Sequence, residues 1–144
     1  MRISALAIII SVAAGTALAL PSLSLTAAAV QGQPTTISGI ETVCTGVGSD
    51  KDNPAWGGYP VKLIFADPKG GDVAQEHVAV LQGGSPIVET DCDAPWVLMK
   101  LPPGQYSVRA MLRDGGSQTV GFFTNGEGQK TVTVTMPAET ASAQ

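Results

Sequence analysis

Hydrophobic and polar positions alternate along most of this chain, and the alternation has a period of two. Tyr59–Ala66 (YPVKLIFA) sets Val61, Leu63 and Phe65 against Lys62, Ile64 and Ala66. Gln105–Arg113 is stricter. Tyr106, Val108, Ala110 and Leu112 fall on one side, and Ser107, Arg109, Met111 and Arg113 on the other. Lys130–Met136 (KTVTVTM) puts Val132, Val134 and Met136 opposite three threonines. Such a pattern describes strands with one buried face. Weaker strand patterns occupy Gly39–Gly48, Asp72–Gln82, Ile87–Val88, Trp96–Leu101 and Gln118–Phe123.

Between these runs stand turn residues. Ser49–Gly58 (SDKDNPAWGG), Asp67–Gly71, Gly83–Pro86, Asp91–Pro95, Leu101–Gly104, Asp114–Ser117 and Asn125–Gly128 carry the Gly, Pro, Asn and Asp that turns require. No segment has a helical period. Seven to eight short strands with frequent turns predict an all-β, single antiparallel β-sandwich over residues 39–136. Val30–Ser38 is expected to be a flexible start, and residues 137–144 a disordered tail.

The first 29 residues break the pattern. Arg2 is followed by an apolar run from Ile3 to Leu20, then Pro21 and a small-residue stretch ending at Ala27-Ala28-Ala29. This is the layout of a secretory signal peptide, with cleavage expected after Ala29 or, alternatively, after Ala19. A retained membrane anchor is the competing reading, since eighteen residues could just span a bilayer. The Ala-rich cut site and Pro21 favour cleavage. The expected mature protein is soluble, periplasmic or secreted, and about 115 residues long. It keeps seven basic against twelve acidic residues, a net charge of −5. That balance does not recruit nucleic acid.

Export gives the two cysteines a meaning. Cys44 and Cys92 are not in a C-x-x-C pair and there is no histidine cluster, so a structural disulfide is expected over a metal site or reactive thiol.

The remaining chemistry is sparse. The lone histidine, His77, has no partner placed by sequence. No G-x-S-x-G surrounds any serine, and Gly46-Val47-Gly48 is not extended into a dinucleotide motif. Asp50, Asp52 and Asn53 resemble the opening of a Ca²⁺ loop, but the glycine and glutamate such a loop needs are missing. A Ca²⁺ site assembled from several loops stays open as an alternative to solvated turns. No enzyme activity, cofactor or metal is expected.

Trp56 stands in a Gly/Pro-rich loop, where a large ring either binds a partner or folds back over the sandwich end, against the disulfide. With Tyr59, Asp50 and Asp52 it marks the expected binding surface. The expected partner is another envelope protein, met through this loop or a sheet edge, or alternatively a glycan or small molecule.

One motif carries a resemblance. Leu101-Pro102-Pro103-Gly104-Gln105-Tyr106-Ser107-Val108 resembles the L-P-x-G-x-Y-x-V element of carboxypeptidase regulatory-like domains, and Tyr59–Ala66 is similar to a strand of the same domains. The resemblance implies a transthyretin-like (prealbumin-like) sandwich, related to immunoglobulin-like modules, of small exported bacterial proteins, used for stability, interaction or carbohydrate-like binding rather than catalysis. It transfers no functional residue, because the matching motif is architectural. Within the corner itself, Tyr106 can bury its ring while its hydroxyl returns to the backbone.

Overall fold

A computed structural model describes residues 31–137. The expected leader and most of the expected tail lie outside the described residues. Nine strands form two stacked sheets: β1 (Thr35–Ile37), β2 (Ile40–Thr45), β3 (Val61–Ala66), β4 (Glu76–Gln82), β5 (Ser85–Cys92), β6 (Trp96–Met99), β7 (Gly104–Leu112), β8 (Ser117–Thr124) and β9 (Lys130–Thr135). One sheet has the order β1-β2-β6-β3-β9 and the other β5-β4-β7-β8. The all-β sandwich stands, with nine strands in place of seven or eight. All pairs are antiparallel except β3 with β9, which run parallel from Val61↔Lys130 to Ala66↔Thr135.

The core follows from the alternation. Val61, Leu63 and Phe65 of β3 meet Val78 and Val80 of β4, Tyr106, Val108 and Ala110 of β7, and Val132 and Val134 of β9 in one buried cluster. Each inward residue alternates with an outward one, so two inner faces close over each other and exclude water. Tyr106 turns the corner into β7: its hydroxyl donates to the Pro102 carbonyl oxygen at 2.6 Å. Its ring stacks on Phe122 of β8 with centroids 5.8 Å apart.

Cys44 and Cys92 form a disulfide with Cα atoms 5.7 Å apart. It joins β2 of one sheet to β5 of the other, within the inter-sheet core.

Three expectations change. Thr35–Ile37, inside the stretch expected to be flexible, pairs with β2 from Thr35↔Thr42 to Ile37↔Ile40. The brief Ile87–Val88 strand is the middle of an eight-residue β5 that runs through Asp91 and Cys92, residues expected in a loop. Conversely, the Asp72–Gln82 pattern becomes a strand only at Glu76.

Candidate functional site

The Ser49–Gly58 region is not an irregular loop. It forms two 3-10 turns, Gly48–Asp52 and Pro54–Gly58. Asn53 separates them, and its Oδ1 accepts from Ala55 N at 3.0 Å. Pro54 occupies the first turn position, where its missing N–H costs nothing. The pair of turns lies on the outer face of the five-stranded sheet, over Val43 and Leu98, which are register partners on β2 and β6. Both point away from the inter-sheet core because they alternate with Cys44, Val97 and Met99.

Trp56 fills that space. It is 7 % exposed and packs with Val43, Leu98 and Tyr59 in a cluster separate from the main core. Its Nε1 donates to the Asp50 carbonyl oxygen at 2.8 Å. The Trp56 and Tyr59 rings meet edge-on at 6.1 Å. From the β8–β9 connection, Gln129 Nε2 donates to the Trp56 and Tyr59 carbonyl oxygens at 2.8 and 3.1 Å. The Asp50 carboxylate accepts from the Thr45 hydroxyl. Asp52 is exposed.

The four residues expected to form a binding surface are therefore neighbours, but the two aromatics are interior. Trp56 is not an exposed platform. It folds back, and it does so over the outer sheet face rather than onto the disulfide. Val43 and Leu98 supply an apolar patch on that face, and covering it with an indole is more favourable than leaving both surfaces in water.

Charges ring this covered patch. Lys100 Nζ lies 2.9 Å from Glu41 Oε2 and 5.3 Å from the Tyr59 ring centroid. The Lys100 ammonium holds the Glu41 carboxyl below the usual carboxylate range, with Tyr59 adding to the effect. Burial, and then Glu41, push the Tyr59 hydroxyl upward. Nearby, Lys62 Nζ sits 3.4 Å from the centre of the half-exposed Trp96 ring. Burial lowers the Lys62 ammonium, and the neighbouring Lys51 adds to this. A cation over an indole face is attracted by the ring quadrupole, so Lys62 occupies a face a ligand would otherwise use.

A different surface is open. β8 is an edge strand, bonded only to β7, and its eight residues carry no charge and no proline. Its register with β7 runs from Gly104↔Thr124 to Met111↔Ser117 without a shift. Phe123 stands out from it, 60 % exposed. Beside Phe123 a cavity of about 290 Å³ is lined by Thr124, Asn125, Glu127, Gln129 and Lys130. The sequence carried a signal for this. Phe122 and Phe123 are consecutive in a strand, so if one is core the other faces out.

His77, half-exposed on β4, places Nδ1 2.8 Å from Asp91 Oδ1 across the β4–β5 pair, with Glu89 3.8 Å from Nε2. Its neighbour Glu76 is 1 % exposed, and neither carboxyl oxygen has a hydrogen-bond partner. Among the described residues no group of three or more His, Cys, Asp or Glu side chains is placed to hold a metal ion. Nor is any helix among them long and apolar enough to cross a membrane. No protein-family model matches the chain, and no curated protein matches it.

Proposed function

We propose that this protein is a non-catalytic module of the bacterial cell envelope, periplasmic or secreted, that binds an extended segment of another envelope protein along β8. The observation that carries the reading is the unprotected edge. An edge strand presents unpaired N–H and C=O groups, and proteins that must not pair there blunt it with Lys, Pro, a bulge or a cover. β8 has no Lys, no Pro and no register shift, and it is eight residues long. A strand added there would gain main-chain hydrogen bonds along its length. Phe123 and the adjoining cavity would select one side chain of that strand.

The envelope assignment draws on the cross-sheet disulfide, a bond that persists in oxidising compartments, and on the leader pattern. The corner built by Tyr106 on Pro102 is in keeping with the resemblance to carboxypeptidase regulatory-like domains. The alternative of glycan binding through the tryptophan loop loses its platform, because Trp56 is interior.

Photocrosslinking tests the edge. A benzophenone side chain at Gln118 should give one discrete adduct in cells. Phe123→Lys should abolish it while changing stability by no more than about 0.5 kcal/mol, as expected for an exposed position. An adduct that survives Phe123→Lys, or none above background, would remove β8 as the binding edge.

A further inference from the structure

The chain holds two asparagines, Asn53 and Asn125. Asn125 directly follows β8 and precedes Gly126, in the connection that leads to β9. Both Asn125 and Gly126 are exposed. Among the described residues, no main-chain hydrogen bond to another main-chain group holds Asn125, Gly126, Glu127 or Gly128. A segment so loosely tied samples backbone geometries that a strand forbids. Gly126 has φ +80, and a Cβ there would stand 2.8 Å from Pro103 Cγ, so the position is reserved for glycine. The missing side chain also leaves the Gly126 nitrogen sterically open.

The Asn125 carboxamide is already folded back on this backbone. Its Oδ1 accepts from Glu127 N at 2.9 Å. The ring closed by that bond includes Asn125 Cγ and the Gly126 nitrogen, which keeps the two near each other. The Glu127 N–H also points at the oxygen that gains negative charge when Cγ is attacked, a placing that stabilises a tetrahedral intermediate. Gly126 N itself makes a long bond, 3.3 Å, to Thr124 Oγ1.

Two comparable places are blocked. Asn53 precedes Pro54, whose nitrogen has no proton to lose. Asp114 precedes Gly115 and makes a similar turn, its Oδ1 accepting from Gly116 N at 2.8 Å. There the Gly115 nitrogen is tied to the Leu112 carbonyl oxygen at 3.0 Å, and an ionised carboxylate is a poorer electrophile than an amide.

We propose that Asn125 is a self-modifying site, at which the Gly126 nitrogen displaces ammonia from the side chain and water then leaves an acid in place of the amide. Gly126 N loses its proton and bonds to Asn125 Cγ. The Cγ–Nδ2 bond breaks, and ammonia departs with that proton. The product is a five-membered succinimide. Water opens it at one of its two C–N bonds: breaking the bond to Cγ yields aspartate, and breaking the bond to the main-chain carbonyl carbon yields isoaspartate. No oxidant or reductant takes part.

The change falls inside the cavity of about 290 Å³ beside Phe123. Glu127 and Lys130 balance each other there, and a carboxylate at 125 makes the lining net negative. Isoaspartate also lengthens the main chain by one carbon on the way to Gln129, which holds the Trp56 and Tyr59 carbonyl oxygens. The site does not depend on β8 being the binding edge.

The test uses the folded protein with its disulfide intact, aged in heavy-oxygen water, beside the same protein unfolded in urea. Trypsin releases Asp114–Lys130, and electron-transfer fragmentation locates each amide turned acid and separates aspartate from isoaspartate. Conversion is expected at Asn125, with one heavy oxygen per product molecule and both isomers present. Its rate should rise with pH, because the Gly126 N–H must ionise. The folded rate should lie within about tenfold of the unfolded rate. Asn125→Gln, which needs a larger and less readily closed ring, should convert at least about tenfold more slowly. A folded protein that keeps its amide at 125 while the unfolded chain loses it would overturn the proposal. So would a product with no isoaspartate, or an undiminished rate in Asn125→Gln.

Discussion

Gly46 is fixed by two separate constraints. Its φ of +101 is open to glycine and costly for other residues, and a Cβ built there would stand 2.6 Å from Trp96 Cγ and 2.8 Å from Cδ2. The chain leaves β2 at this point, and the close approach lets the Trp96 ring lie against the backbone. Gly46→Ala should therefore cost about 2–4 kcal/mol, from strain and overpacking together. Gly39 separates the two contributions. It has φ +83 but open space around its Cβ position, so Gly39→Ala should cost only the backbone strain, about 1 kcal/mol. Urea unfolding of the two variants checks both values. At the corner before β7, Tyr106→Phe removes the bond to the Pro102 carbonyl oxygen. Pro102 is exposed, so water can replace the lost donor. The loss should stay near 1 kcal/mol.

Among the elements, the paired 3-10 turns depend on one side chain. Without Trp56, their indole hydrogen bond to Asp50 and their cover over Val43 and Leu98 go together. Trp56→Ala should lose about 3–5 kcal/mol in urea unfolding, the usual range for emptying a large aromatic site. Trp56→Phe should recover most of that. The sequence offered a folded-back Trp56 as one of two readings but not the surface it covers, because Val43 and Leu98 lie apart in the chain, on β2 and β6. Strands whose inward residues are consecutive apolar alternates, β3, β7 and β9, were legible from period two. β5 was not: its inward set is Val88, Thr90 and Cys92, with Glu89 and Asp91 between, and Pro86 looks like punctuation. Proline is tolerated there because β5 is an edge strand. β1 is three residues with two threonines, too short and polar to stand out. The open side of β8, which carries the functional reading, is a matter of strand order. No local pattern encodes it, just as none encodes that Glu76 ends up between Cys92 and Leu112.

For the molecule as a whole, stability is set where the two sheets are tied and where a carboxyl is trapped between them, and these places adjoin. The disulfide closes a loop with 48 residues of sequence separation and constrains the unfolded chain by roughly 4 kcal/mol. Glu76 stands opposite Cys92 on the neighbouring strand and acts in the other direction whenever it must ionise. Its folded carboxyl titrates at about 8, well above the ordinary 4.5 of the unfolded chain. Below 4.5 both states hold the proton and the folded state is unpenalised. Between there and 8 the unfolded chain releases a proton that the folded protein keeps, so unfolding becomes progressively easier as pH rises. Above 8 both states are ionised and the decline stops. The expected curve is thus a loss of unfolding free energy from about pH 5 to about pH 8, opposite to the usual trend for paired carboxylates. Asp91, Asp93, His77 and Arg113 also face this region, and their contributions persist when Glu76 alone is changed. Urea unfolding of Glu76→Gln across the same range isolates the effect: the amide keeps the shape and cannot ionise. Its curve should lack the decline, and near pH 8 it should be more stable than the parent protein. Parallel curves for the two proteins would mean that Glu76 reaches solvent and ionises freely in the folded state.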